Sequence, residues 1–340
     1  MHRVLTWQTY EEESVPIGIV SIGGYVPPLV VNNEQIGQWA VIEEGWIESR
    51  TGIVERRYAE EDVSTSELAT RAALPLLTNP GVAESVGALV LATATPDQPQ
   101  PATASFVQRR LGLKQVPSFD VNAVCSGFLY GLTVAEALMA TRVGADYALV
   151  IGADKYSSIM DRADRRTVSL FGDGAGAVLL GRVPEGYGIQ GASLIADGEA
   201  ASLVRVEAGG TRRPLTAERL QAGEHFFRME GRAVRDWGLQ FVPKAAQQAL
   251  EQAGMSIEVI DRVVFHQGNT RLVHSLAEAM GVEQDRLAVS APTLGNTAAA
   301  SIPLTLARDH ARRPLRRGER VLLAAVGGGM TAAATVLTWY

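Results

Sequence analysis

Two blocks of the chain run through the same order of elements, and this repetition constrains the fold more than any single motif. In the first, IGIVSIGGYVP (17–27) has the β-branched character of a strand closed by Gly and Pro. SELATRAALPLLTN (66–79) is predicted to be a helix with Ser66 as its N-cap, and ALVLATAT (88–95) a fully buried strand. ATASFVQRRLGL (102–113) reads as a helix ending near Gly112, SFDVNAV leads into Cys125, and the apolar spacing of SGFLYGLTVAEALMATRV is helical. YALVIGAD (147–154) is a strand, and GDGAGAVLLGRV (172–183) a tight turn feeding another.

The second block repeats the series. RVVFHQGN (262–269) is a strand and its exit, RLVHSLAEAMGV (271–282) a helix ending at Gly281, and RLAVSAPTLGN (286–296) a strand leading into a turn. AAASIPLTLARDHARR continues as a helix despite Pro303 near its start, and RVLLAAVGGG (320–329) is a strand running into glycines. Gly112 and Gly281 lie 169 residues apart, and Cys125 and Asn296 lie 171 apart. The pattern predicts an α/β protein with an internal duplication of about 170 residues. Its halves are residues 1–184, carrying Cys125, and 185–340, carrying His266 and Asn296. Between the blocks, roughly residues 185–255 include the Gly-rich and charged AGGTRRPLTAERLQAGEHFF, which is expected to be an excursion or surface loop.

Composition excludes several classes of function. With 46% hydrophobic and 20% charged residues the 340-residue chain is not disordered, and its single cysteine forms no intrachain disulfide, which points to a reducing cytoplasm. The opening MHRVLTWQTYEEESVP lacks the apolar core of a signal peptide, and no run approaches a membrane span, so no membrane insertion is expected. A net charge of −6 without a basic stripe argues against nucleic acid as a partner.

Three side chains carry candidate chemistry. Cys125 falls at or just before a helix N-terminus, where unpaired N–H groups favour the thiolate. A buried structural cysteine is the alternative reading. His266 and Asn296 each close a strand, and sites in open α/β sheets lie outside the carboxyl ends of strands. Taken singly, His266 also reads as a satisfied core histidine and Asn296 as a turn residue that tolerates left-handed angles. Under one duplication all three converge.

The motifs VNAVCSGFLYGL, FHQGNTR, LGNTAAASIP, LFGDGAGAVLL, VGGGMT and GWIESRTGIVERR, in that family's order across nearly the whole chain, resemble the thiolase-fold condensing enzymes, specifically β-ketoacyl-acyl-carrier-protein synthase III. The resemblance implies a five-layer αβαβα fold of two duplicated halves and a homodimer. It implies that Cys125 is acylated from an acyl-CoA or acyl-carrier protein, and that the N–H groups of Cys125 and Gly328 hold the oxyanion. His266 and Asn296 then stabilise the enolate left when a malonyl-type thioester loses CO₂ in a decarboxylative Claisen condensation. No metal or organic cofactor is implied, CoA and carrier phosphopantetheine being substrate carriers. Trp46 and Arg165 would sandwich the adenine of CoA or flank a pantetheine entrance, Arg50 would meet a phosphate, and Asn269 and Arg271 would line the pantetheine tunnel and its mouth.

Relatives on this scaffold are separated by single residues. A biosynthetic thiolase needs a second cysteine, synthases of types I and II have histidine where Asn296 stands, and hydroxymethylglutaryl-CoA synthases place a glutamate where this chain reads Thr95–Pro96. The Gly-Phe-Gly-Pro-Gly signature of chalcone synthases is replaced by VGGGMTA. Departures from the resembling family fall at the entrance and acyl pocket: Arg235–Asp236 where Phe and Lys are usual, Ala332 for a Trp, and Gln100 where a large apolar residue often reaches across the dimer. They suggest a specialised acyltransferase, using an acyl group other than acetyl in secondary-metabolite or salvage chemistry. Transfer of the Cys-bound acyl group to an alcohol or amine is the alternative activity. A catalytically silent partner subunit is disfavoured by the intact Cys125, His266 and Asn296.

Overall fold

The computed structural model describes residues 15–141 and 146–340. All but the last two residues of the opening segment read for a signal peptide lie outside the described residues, as does the end of the helix read to residue 143. No helix among the described residues is long and apolar enough to cross a membrane.

Two sheets form the frame. The first contains β1 (Ile17–Tyr25), β2 (Val86–Ala92), β3 (Ser118–Val121), β4 (Tyr147–Asp154) and β5 (Gly174–Arg182), in the spatial order β1-β5-β4-β2-β3. The second contains β6 (Gly188–Ala196), β7 (Arg262–Phe265), β8 (Arg320–Gly327) and β9 (Thr331–Thr338), in the order β7-β8-β9-β6. In each, two antiparallel pairings lead to a parallel pair, so β6, β9, β8 and β7 repeat β1, β5, β4 and β2. The counterpart of β3 is reduced to a parallel bridge between Val263 and Leu287.

That reduction corrects the strand expected over 286–296. Beyond Leu287 the backbone N–H groups of Ser290 and Ala291 donate to the side-chain Oε1 of buried Gln267, at 2.9 and 3.1 Å, instead of to a ladder. Pro292 then opens a single helical turn, Ala291–Leu294.

Helices cover both sheets and fill the space between them. On the outer face of the first sheet lie α1 (Thr65–Ala73) and α2 (Thr103–Arg110), packed on Leu89, Leu91, Leu149 and Ile151. The alternate residues Ala88, Val90, Ala148 and Val150 face the middle layer, as a period-two strand requires. That layer holds α3 (Gly127–Ala140), and α6 (Ser301–Arg312), whose Ile302 and Leu306 pack with Phe128 and Leu132 against both sheets. On the far face of the second sheet lie α4 (Gly231–Gln252) and α5 (Thr270–Ala279). This is the α-β-α-β-α sandwich implied by the resemblance.

The N-cap of α1 is Ser64, whose hydroxyl accepts from Glu67 N at 3.3 Å, not Ser66, which lies inside the helix and donates its N–H to Asp97. Such a cap contributes about 1 kcal/mol. The stretch 185–255 is only partly an excursion. Its ends supply β6 and the 22-residue α4, and its middle alone, residues 197–230, leaves the sheets as short turns and a two-stranded ribbon. Pro243 inside α4 interrupts the helical signal without ending the helix.

Candidate active site

The chain leaves β3 through a turn that presents Cys125. Asn122 Oδ1 accepts from Val124 N at 3.1 Å, Val124 adopts a φ of 48°, and one 3₁₀ turn (Val124–Ser126) feeds α3. A β-branched residue with positive φ is strained by about 1–3 kcal/mol, and such strain persists where surrounding structure enforces it. The second half builds the same turn. Asn296 Oδ1 accepts from Ala298 N at 2.8 Å, Ala298 has a φ of 48°, and Ala298–Ala300 form the 3₁₀ turn before α6. The copies therefore correspond at a spacing of 174 residues, with Asn296 matching Asn122 and Ala299 matching Cys125. The landmark pairing of Cys125 with Asn296 was three residues out, because the two segments upstream differ in length.

The Asn296 backbone is held by the opposite half. Its N–H donates to Leu170 O at 2.8 Å and its carbonyl accepts from Gly172 N at 2.9 Å, forming a bridge between Phe171 and Asn296. With Oδ1 engaged by Ala298, the Nδ2 donor is left for a ligand. Buried Arg56 steadies the same segment by donating to Ser169 O at 2.7 Å and to Asn33 Oδ1 at 2.8 Å.

His266 follows β7 and is 3% exposed. Its N–H donates to Ala324 O at 2.8 Å, and its Nδ1 lies 2.7 Å from Ser301 Oγ on α6. Burial pushes the imidazole down from 6.5 to about 3, so it is neutral at physiological pH. Burial also pushes the Cys125 thiol well above its ordinary value, and the charge of Asp154 adds to that rise. This direction opposes the thiolate-favouring effect expected of the helix terminus.

Cys125, His266, Asn296 and Gly328 line one cavity of about 70 Å³. Its apolar wall comprises Val124, Leu170, Phe171, Val204, Phe227 and Leu272. Behind that wall Tyr156 stacks on Phe171 with centroids 4.4 Å apart, and Phe227 meets both rings edge-on. Gly328 packs tightly here: a Cβ would lie 2.9 Å from Val204 Cγ1 and 3.1 Å from Val124 Cγ2, so those side chains or the turn would have to shift.

The same lineage is evident in sequence comparisons. The model of 3-oxoacyl-[acyl-carrier-protein] synthase III matches residues 119–198, and its C-terminal counterpart matches residues 250–339. A β-ketoacyl-[acyl-carrier-protein] synthase III of Streptomyces coelicolor is 42% identical over 324 residues, covering 94% of this chain and 96% of that protein. The chain belongs to the 3-oxoacyl-[acyl-carrier-protein] synthase III family. It is a condensing enzyme of the transferase class. An acetoacetyl-CoA synthase of a Streptomyces species is 41% identical, covering 94% of this synthase III chain and 98% of the relative. The solved synthase III of Thermus thermophilus is 40% identical with a TM-score of 0.87, covering 95% and 99% of the two chains.

Around the cavity of this synthase III chain the other expected residues divide. Arg235 and Asn269 line it, and Asn269 also caps α5, its Oδ1 accepting from Leu272 N at 2.9 Å. Trp46 and Arg50 line the adjoining groove with Arg166, Arg232 and Asp236. Arg165 lies over the Trp46 ring at 5.3 Å. A sandwiched base needs about 7 Å, two contact thicknesses of ~3.5 Å, so the pair is in direct contact and would have to part to admit one. Arg271 lines neither space, since its guanidinium donates to Ser49 O.

Ala332 is not at the pocket. It is fully buried on β9 between Val326 and Ile195, in the core under α4. Gln100 is exposed on the loop after β2 and does not line the cavity of its own chain. Sequence reasoning missed Ser301, although it lies within the LGNTAAASIP motif, because nothing in local spacing sets it against a histidine 35 residues away. It also missed the aromatic cluster and Asp154, whose roles depend on long-range contacts.

Proposed function

We propose that this enzyme loads a short acyl group from an acyl thioester onto Cys125 and condenses it with a malonyl-type thioester. The observation that carries the reading is the convergence of Cys125, His266, Asn296 and Gly328 on one cavity. In loading, Cys125 Sγ attacks the thioester carbonyl while its proton passes through neutral His266 to the departing thiolate. The N–H groups of Cys125 and Gly328 hold the tetrahedral oxyanion. In condensation, the malonyl C–CO₂ bond breaks, and its electron pair becomes an enolate whose oxygen accepts from His266 Nε2 and Asn296 Nδ2. The enolate carbon then attacks the acyl carbonyl, and Cys125 leaves as thiolate and regains a proton.

The Ser301 hydroxyl suits both stages, because it accepts from or donates to Nδ1 as the imidazole tautomer changes. The apolar wall closed by Phe171 and Phe227 favours a short acyl chain, and the groove at Trp46, Arg50 and Arg232 offers contacts for CoA or a carrier phosphopantetheine. Arg235 sits at the junction, balanced by Asp236 at 3.8 Å. No metal or organic cofactor enters the scheme.

A homodimer also fits this reading. β3 forms a sheet edge with no outer strand partner among the described residues, and Phe119, Val121, Tyr130 and Leu138 nearby are only partly buried. In such a pair Gln100 would approach the partner copy's cavity. We divide the chain at residues 184 and 185, between the last strand of the first sheet and β6, and place the enzyme in the cytoplasm.

The test incubates the protein with a panel of acyl-CoAs and then with malonyl-CoA or malonyl-carrier protein. Mass spectrometry of the intact enzyme should show an acyl adduct absent from Cys125→Ala, followed by CO₂ release and a β-ketoacyl product. Unchanged adduct in the variant refutes the assignment. An adduct that forms but passes to an alcohol or amine without CO₂ release would favour the acyltransferase alternative. Preferential loading of acetyl would end the idea of a specialised primer.

A further inference from the structure

The duplication places a carboxylate where the catalytic copy has nothing. Leu91 of β2 pairs with Ile151 of β4, and Phe265 of β7 pairs with Ala324 of β8, so Asp154 at the end of β4 corresponds to Gly327 at the end of β8. The turn carrying Cys125 stands against Gly327 so closely that a Cβ there would come within 2.7 Å of Ser126 N. In the other copy the matching turn carries Ala299, and the matching strand end carries a side chain that occupies its N–H: Asp154 Oδ2 accepts from Ala299 N at 2.9 Å. Asp154 is fully buried, and its Oδ1 accepts from Ala94 N and Thr95 Oγ1 at 2.8 Å and from Thr95 N and Thr93 Oγ1 at 3.1 Å.

We infer that Asp154 is a positioning residue whose carboxylate fills the duplicate of the oxyanion site and so locks the Asn296–Ala299 turn onto the first sheet. One oxygen is gripped by residues 93–95 of the N-terminal half, and the other grips a backbone N–H of the C-terminal half. Asn296 lies three residues before that N–H and is joined to it through the Ala298 hydrogen bond. Gly152 permits the approach, since a Cβ there would lie 2.2 Å from Ala299 O. Burial raises the carboxyl to about 6, which leaves it ionised and acceptor-only at neutral pH. Charge-assisted bonds of this kind are roughly twice as strong as neutral ones, and the buried N–H has no water to replace the carboxylate.

The inference rests on the proposed roles of Cys125 and Asn296, which belong to different partial reactions, and this separation supplies its test. In Asp154→Asn the amide oxygen keeps the Oδ1 donors while the amide nitrogen opposes Ala299 N–H, so the grip on the Asn296 turn is lost selectively. Acyl loading of Cys125, read by intact-protein mass, should not fall, since removing the Asp154 charge only eases ionisation of the thiol, whereas CO₂ release from malonyl-CoA by the acylated enzyme should fall on the order of 100-fold, as for a misplaced catalytic group. Thr93→Val, which removes one Oδ1 donor without changing shape greatly, should reproduce the split at about threefold to tenfold. Should Asp154→Asn fail to fold, Thr93→Val alone decides. Equal losses in both partial reactions, or no loss in either, overturn the role of Asp154. A parent enzyme unable to load Cys125 would instead overturn the functional reading on which it rests.

Discussion

His266 Nδ1 lies 2.7 Å from Ser301 Oγ, which joins the strand that carries the imidazole to the helix that follows the Asn296 turn. The hydroxyl holds a neutral ring in one orientation and satisfies the nitrogen that does not face substrate.

Ser301→Ala leaves that nitrogen buried without its partner. Loss of one such hydrogen bond costs about 1 kcal/mol, so condensation measured with saturating acyl donor should slow about fivefold to tenfold. Steady-state kinetics with varied malonyl thioester checks this, and an unaltered rate would remove Ser301 from the mechanism.

The depressed His266 titration has a definite sign in stability. Between its folded value of about 3 and the ordinary 6.5, the unfolded chain binds the extra proton, so this group's contribution to stability is present above pH 6.5 and is lost as pH falls. Asp154 and Asp173, each raised to about 6, act in the opposite sense, binding their protons more tightly when folded. Comparing the parent with His266→Gln cancels the carboxyl contributions. From pH 7 to 5 the parent should lose about 2 kcal/mol relative to the variant, as read from urea midpoints. A difference independent of pH would contradict the assignment.

Gly328→Ala introduces a methyl group against Val204 and Val124. It should slow acyl loading about 10-fold, because accommodating the methyl group shifts the 327–329 turn against Val204 and Val124 and displaces the oxyanion donor proposed for Gly328. Rapid-quench measurement of adduct formation distinguishes this from slower condensation.

Among the described residues Arg56 makes no salt bridge, but its guanidinium serves Ser169 O and Asn33 Oδ1, and burial lowers it to about 10. Arg56→Met should destabilise the fold by about 3 kcal/mol, since buried Ser169 O and half-buried Asn33 Oδ1 lose charge-assisted donors. Thermal unfolding checks it, with the larger activity loss expected in condensation because Ser169 adjoins the segment that holds Asn296.

The fold was legible where strands alternate with helices at regular spacing, and the convergence of Cys125, His266 and Asn296 on one cavity was legible because each sits in a short motif at a strand exit. The middle of the chain was not, since glycine and charge around residues 209–224 obscured β6 before them and α4 after them. The duplication was visible but misaligned, because backbone angles at Val124 and Ala298 define the equivalence and sequence landmarks do not. Ala332 was misplaced for a related reason: a residue near a motif in sequence can point into the core once the strand begins. Arg271, expected at the tunnel mouth, is tied to Ser49 O on the helical turn that carries Trp46 and Arg50, a contact more than 200 residues distant in the chain.

The bridge between Phe171 and Asn296 fastens the two halves at the proposed reacting centre itself. The seam and the chemistry thus share the same hydrogen bonds, and neither half carries a complete set of reactive groups. Heat or denaturant that begins to loosen this bridge will silence catalysis before the middle layer shared by the two halves comes apart. Loss of activity should therefore precede loss of helical signal along an unfolding curve, making turnover the earliest reporter of strain between the two copies.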